Sequence, residues 1–91
     1  MKEIIRVHLI FKGYVQGVGF RYTAFHAANM YGLTGWVKNE WNGSVTVEAQ
    51  GDRDSIDAFI EKVRSGRYIE VMDMSMATIP LKDEKTFEIK Y

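Results

Sequence analysis

Hydrophobic residues alternate with polar ones near both ends of the chain and again in its middle, and two stretches between carry the wider spacing of helices. From Ile5 to Phe11, the side chains of Ile5, Val7, Leu9 and Phe11 fall on one side and those of Arg6, His8 and Ile10 on the other, as in a half-buried strand. A helix is predicted from about Arg21 to Tyr31, its apolar face made of Ala24, Phe25, Ala27, Ala28 and Tyr31, with Gly32 placed to close it. Two extended segments follow, Gly35 to Trp41 and Ser44 to Gly51, joined by the hairpin signal Asn42-Gly43. In the second, Val45, Val47 and Ala49 alternate with Thr46, Glu48 and Gln50. Asp52 or Asp54 can cap a second helix whose stripe is Ile56, Phe59, Ile60 and Val63, and Gly66 stops it. A fourth strand carries Met72, Met74 and Met76 on one face, read as core, and ends at Pro80. From Thr86 to Tyr91, Phe87, Ile89 and Tyr91 alternate with polar residues as a short last strand.

Two helices with one apolar stripe each can cover only one face of such a sheet. The order predicts an α+β two-layer sandwich, ferredoxin-like βαββαβ with a short extra C-terminal strand, its sheet mainly antiparallel and both helices on one face. No linker, repeat or low-complexity segment interrupts it, so residues 1–91 are expected to be one domain. At 91 residues the chain is near the small end of what folds unaided, and without cysteine it has neither disulfides nor a thiolate metal site. Its core must therefore be well packed, for which 46% hydrophobic and 13% aromatic residues suffice. Twelve basic and twelve acidic residues cancel, and the isoelectric point is near 6.7. That balance argues against bulk binding to nucleic acid or a membrane surface. No apolar run reaches membrane-spanning length, and charges break up the hydrophobics of MKEIIRVHLIFK, unlike a signal peptide. The expected compartment is the cytoplasm and the expected state a monomer.

Between the first strand and the first helix lies GYVQGVGFR, residues 13–21. Its glycines let the backbone curl so that successive N–H groups point into one concavity, and the free N–H groups of the helix start add partial positive charge. Arg21, in the first helical turn, can reach back into that hollow, a place for a phosphate-sized dianion. Alone, an arginine after a glycine turn reads equally as a surface charge or a helix-end ion pair, and Asn39 as a strand-end residue bonding the neighbouring turn. The loop is not a dinucleotide fingerprint, because the third glycine would fall at Tyr22, and it lacks the Gly-Lys-Ser/Thr of a Walker loop. His8 and His26 have no third ligand at a suitable spacing, so neither is read as catalytic or metal-binding. The acidic residues at 52–57 read as a helix N-terminus and lack the EF-hand ligand pattern.

GYVQGVGFR at 13–21 and GWVKNEWNGSVTVEAQG at 35–51 together resemble the two signature segments of the acylphosphatases, and length and element order agree along the whole chain. The resemblance implies hydrolysis of carboxyl-phosphate anhydrides to a carboxylate and inorganic phosphate, with no metal and no cofactor. It implies that Arg21 is the phosphate-binding arginine, Asn39 the water-orienting asparagine, and Gln16, Gly17, Val18, Gly19 and Phe20 the backbone cradle. The chain departs from the family pattern at Phe11, where an aliphatic residue is usual, and at Glu40, where some members carry a hydroxyl. A carboxylate at 40 would repel a dianion if it turned inward. Trp36 is expected to pack, and Trp41 to border the acyl group. Two other readings share the topology. An RNA-binding module would stack bases on the central strands, where this chain offers Thr46, Glu48 and Gln50. A phosphate- or carbamoyl-phosphate-binding module without turnover would resemble the acylphosphatase-like front domain of hydrogenase-maturation carbamoyltransferases. A chain that ends at Tyr91 with no zinc-binding cysteines favours a free-standing enzyme.

Overall fold

The strands and helices follow one another as β1 (Ile4–Tyr14), α1 (Phe20–Met30), β2 (Thr34–Asn39), β3 (Val45–Asp52), α2 (Arg53–Arg64), β4 (Glu70–Ile79) and β5 (Phe87–Lys90) in a computed structural model that describes residues 2–91. They form a five-stranded sheet in the order β4-β1-β3-β2-β5, antiparallel except where β5 runs parallel to β2. This is the expected two-layer ferredoxin-like sandwich with its added strand.

The alternation of β1 and β3 does what the pattern predicts on the helix side: Val7, Leu9 and Phe11 are buried against Val45, Val47 and Ala49. Ile56, Phe59, Ile60 and Val63 of α2 are all buried on them. Each such side chain contributes about 1.5–3 kcal/mol, so α2 is held mainly by that stripe. Asp52 caps α2, its carboxylate accepting from the Ser55 N–H at 3.0 Å. In α1 the small residues Ala24, Ala27 and Ala28 are buried and let the helix lie close, while Phe25 and Tyr31 sit half-buried at its margin.

Three expectations need correction. The segment expected to extend to Trp41 leaves the ladder at Asn39, which pairs with Val45; residues 40–44 form a longer connection. There the Gly43 N–H donates to Glu40 O at 3.2 Å, and Gly43 (φ 89°) but not Asn42 has a positive φ, so Asn42-Gly43 is not a two-residue I′ or II′ turn, both of which need a positive φ at the first position. The methionines of β4 are not core. Met72 is 71% and Met76 41% exposed, and Met74, opposite Phe11, is only partly buried. The cause is position: β4 is an edge strand, and α1 and α2 pack over β2, β3 and β5 instead. Lys12 and Gly13 pair with Asp73 and Val71, so Met72 is the extra residue of a bulge that shifts the alternation.

The third correction concerns the polar phase. Arg6, Thr46 and Glu48 face away from the helices and are nevertheless buried, Arg6 completely (0%). Residues 80–86 run from β4 to β5 across this open face over Arg6 and Glu48, while the Thr46 hydroxyl donates to Glu40. Arg6 Nε and Nη2 donate to Glu48 Oε1 at 3.1 and 3.0 Å, and Nη1 donates to Glu84 and Gln50 at 2.6 and 3.3 Å. The Gln50 carboxamide pairs with both the N–H and the carbonyl of Lys82 at 2.9 Å. Burial alone would push the Glu48 carboxyl up, but His8 at 2.9 Å, Arg6 and Lys82 together hold it below its ordinary value near 4.5.

Candidate active site

The glycine loop is pinned at alternate residues. Val15 and Phe20 are buried, Phe20 with its ring centroid 5.0 Å from that of Phe11, and Val18 packs on the core. The Gln16 side chain donates to the carbonyls of Glu40 and Ser44 at 2.7 and 2.8 Å, tying the loop to the β2–β3 connection. Gly17 (φ 73°) and Gly19 (φ 79°) lie between these anchors in the left-handed region that other residues rarely adopt. A Cβ on either would meet nothing, so the need for glycine there is conformational rather than a matter of space.

With the loop held this way, none of the N–H groups of residues 16–20 has an acceptor among the described residues. The first helical bond runs from Thr23 N–H to Gly19 O, and α1 has neither a side-chain cap nor an acidic residue in its first turn. Unpaired donors at a helix start favour an anion.

Arg21 is half-buried beside them and is in no ion pair among the described residues. Its guanidinium lies over the Tyr91 ring, 4.9 Å from the centroid, and Nη1 makes a long 3.5 Å contact to Lys90 O. Across the hollow stands Asn39, at the end of β2. Its Oδ1 is buried without a hydrogen-bond partner, a rare condition for a polar atom in a native fold. Val15, Gly17, Gly19, Phe20, Arg21, Tyr22 and Asn39 line one hollow of about 160 Å³. The structure thus brings Arg21, Asn39 and the glycines together, with Phe20 in the wall. Gln16 lies in a neighbouring groove of about 410 Å³ with Lys38, Glu40, Trp41 and Tyr91, which shares Asn39.

Glu40 does not turn into the hollow: its Oε2 accepts from the Thr46 hydroxyl at 3.3 Å, on the open face. Trp41 is fully exposed at the edge of the groove, and Trp36 is half-buried under Lys90 Nζ, 4.7 Å from its ring centroid. His8 bonds Glu48 far from the loop and His26 is exposed. Among the described residues no group of His, Cys, Asp and Glu is placed to hold a metal, and no helix is long and apolar enough to cross a membrane.

The family model of acylphosphatases matches residues 7–89, a span that contains the loop, Arg21 and Asn39. The chain belongs to the acylphosphatase family. An acylphosphatase of Oceanobacillus iheyensis is 46% identical over 88% of this chain and 91% of its own. The crystal structure of acylphosphatase from Bacillus subtilis superposes with a TM-score of 0.91 at 36% identity, covering 96% of this chain and 99% of that one. The full-length HypF structure, in its phosphate- and nucleotide-bound form, gives the same TM-score at 28% identity, with all of this acylphosphatase-family chain matching 12% of HypF. Sequence reasoning missed the Gln16 side-chain tether and the approach of Lys90 and Tyr91 to Arg21, both contacts between distant segments.

Proposed function

We propose that this protein hydrolyses the carboxyl–phosphate anhydride of acyl phosphates, with Arg21 and the amides of residues 16–20 holding the phosphoryl group and Asn39 orienting the attacking water. Family membership supports the reaction. The observation that supports the residue roles is the hollow itself: Gly17, Gly19, Phe20, Arg21 and Asn39 line one small space, where the loop N–H groups have no acceptor and Arg21 no carboxylate among the described residues.

Water oxygen bonds to phosphorus as the bond from phosphorus to the acyl oxygen breaks. The electron pair of that bond leaves with the carboxylate, a good leaving group that needs no strong general acid. The demand on the protein is placement and charge stabilisation around a loose, metaphosphate-like transition state. A guanidinium grips two phosphoryl oxygens in a fixed fork, and a lysine does not. The loop amides stabilise the remaining oxygens as charge shifts, in the manner of an oxyanion hole. The Asn39 carboxamide orients the water by hydrogen bonding but does not take its proton near neutral pH. The proton passes to a phosphoryl oxygen of the substrate. With Glu40 held by Thr46, no carboxylate opposes the dianion from the β2–β3 connection.

In the same reading the protein is a cytoplasmic monomer without a nucleic-acid partner. Balanced charge supports the last point, as does Glu48, which is engaged by Arg6 and His8 where a base would have to stack. The likeness to part of HypF favours a second reading, phosphate or carbamoyl-phosphate binding without turnover. Release of phosphate from benzoyl phosphate, measured with and without chelator, separates the two. Equal turnover in both is expected, and saturable binding with no turnover would overturn hydrolysis.

A further inference from the structure

The open face of the sheet holds a buried arginine that the reaction does not use. A guanidinium at 0% exposure is costly unless its donors are matched, and those of Arg6 are matched by Glu48, Gln50 and Glu84. Glu48 and Gln50 belong to β3, the strand next to β1, so their pairing with Arg6 serves the sheet. Glu84 does not. It lies on the strap of residues 80–86, and its 2.6 Å bond to Arg6 fastens that strap across the open face, beside the Gln50–Lys82 pairing.

What the strap carries is β5, a short edge strand that runs parallel to β2. Parallel pairing is the weaker kind per residue, and a four-residue strand has little of it. Its register matters to the site. With Phe87 opposite Gly35 and Lys90 opposite Lys38, the strand's end lies beside Asn39 and meets Arg21 through the Lys90 carbonyl and the Tyr91 ring. Within the protein these are the polar and stacking contacts of the Arg21 guanidinium.

We propose that Glu84, through its ion pair with Arg6, is a positioning residue for Arg21: it holds the strap so that the end of β5 buttresses the guanidinium in the attitude that receives phosphate. This rests on the reading of Arg21 as the phosphate clamp. The Glu84 side chain is 31% exposed, and Arg6 keeps Glu48 and Gln50 as acceptors without it, so Glu84→Ala is expected to fold. Replacing Arg6 itself risks the fold.

The test measures inorganic phosphate binding and the kinetics of benzoyl phosphate hydrolysis well below the melting temperature of each variant. Glu84→Ala is expected to weaken phosphate binding about three- to tenfold, the range of a displaced but intact contact. KM should rise in parallel and kcat should fall less. Glu84→Gln, which keeps an acceptor, should recover part of the loss, and Asp83→Asn on the same strap should change nothing. In a Tyr91→Ala background, where part of the buttress is already gone, Glu84→Ala should lose most of its effect. A folded Glu84→Ala protein that binds phosphate as the parent does, or an effect fully additive with Tyr91→Ala, overturns the proposal. Arg21→Ala with parental phosphate affinity would instead overturn the clamp reading on which it rests.

Discussion

Arg6, in β1 on the open face of the sheet, and Arg21, in the first turn of α1, show two uses of one side chain. Arg6 is sealed under the strap with its Nε, Nη1 and Nη2 all bonded, and both Glu48 and Glu84 neutralise it. Arg21 is half-buried, lines one hollow with loop residues whose N–H groups have no acceptor among the described residues, and has a single long contact to a carbonyl beside its stacking on Tyr91. A saturated guanidinium has no donors to offer, whereas one left beside unpaired N–H groups concentrates positive potential in a small hollow. Burial and charge alone would have singled out the wrong arginine; what distinguishes them is which donors are already engaged.

The comparison breaks most visibly if the two residues are exchanged in their effects. Arg21→Ala should abolish measurable turnover and most phosphate binding with little change in melting temperature, since it leaves no buried carboxylate unpaired. Arg6→Ala should act mainly on stability, with phosphate binding weakened no more than by Glu84→Ala, through the same loosened strap. It takes from Glu48 one of its three basic partners and from Glu84 its ion pair, and it opens a space where a fully buried side chain stood. Stability should therefore fall in denaturant titrations, by at most about 3–5 kcal/mol because His8 and Lys82 still hold Glu48. Asn39→Ala should lower kcat about 10²–10³-fold, the usual cost of one preorganised group, while phosphate affinity stays near the parental value. The smallest effect concerns acid. Glu48 titrates below its ordinary value near 4.5 in the folded protein, so the stability it contributes is present above that pH and is lost as pH falls through the lower folded value. Glu48→Gln should therefore flatten the acid limb of the stability curve. An unchanged limb would mean that other carboxylates set it.

Most of the fold was legible because its signals are local. The period of two in β1 and β3, the stripe of α2 and the cap at Asp52 each act within a few residues, and the structure keeps them. Met72 and Met76 misled because alternation tells which residues share a face, not whether a helix reaches that face at the sheet edge. Asn42-Gly43 marked the β2–β3 hairpin but not its length, because the Gln16 side chain holds the carbonyls of Glu40 and Ser44, a tertiary contact compatible with the longer connection. The burial of Arg6 was hidden for a related reason. His8 lies opposite Glu48 and Arg6 opposite Gln50, a pairing of polar residues across β1 and β3 that sequence can suggest, but the strap above them comes from residues 80–86. At the site, the loop and Arg21 could be read as an anion cradle from the residues alone, whereas Asn39 stood out only through the resemblance. The structure adds the shared hollow and the unpaired Oδ1.

The most direct test of this account titrates inorganic phosphate into the parent protein, Arg21→Ala and Asn39→Ala, with turnover of benzoyl phosphate measured on the same samples. The account predicts saturable binding to the parent and to Asn39→Ala, turnover lowered about 10²–10³-fold in Asn39→Ala, and most of the binding and all measurable turnover lost in Arg21→Ala. Phosphate bound equally well without the Arg21 guanidinium, or turnover preserved without the Asn39 carboxamide, would contradict it.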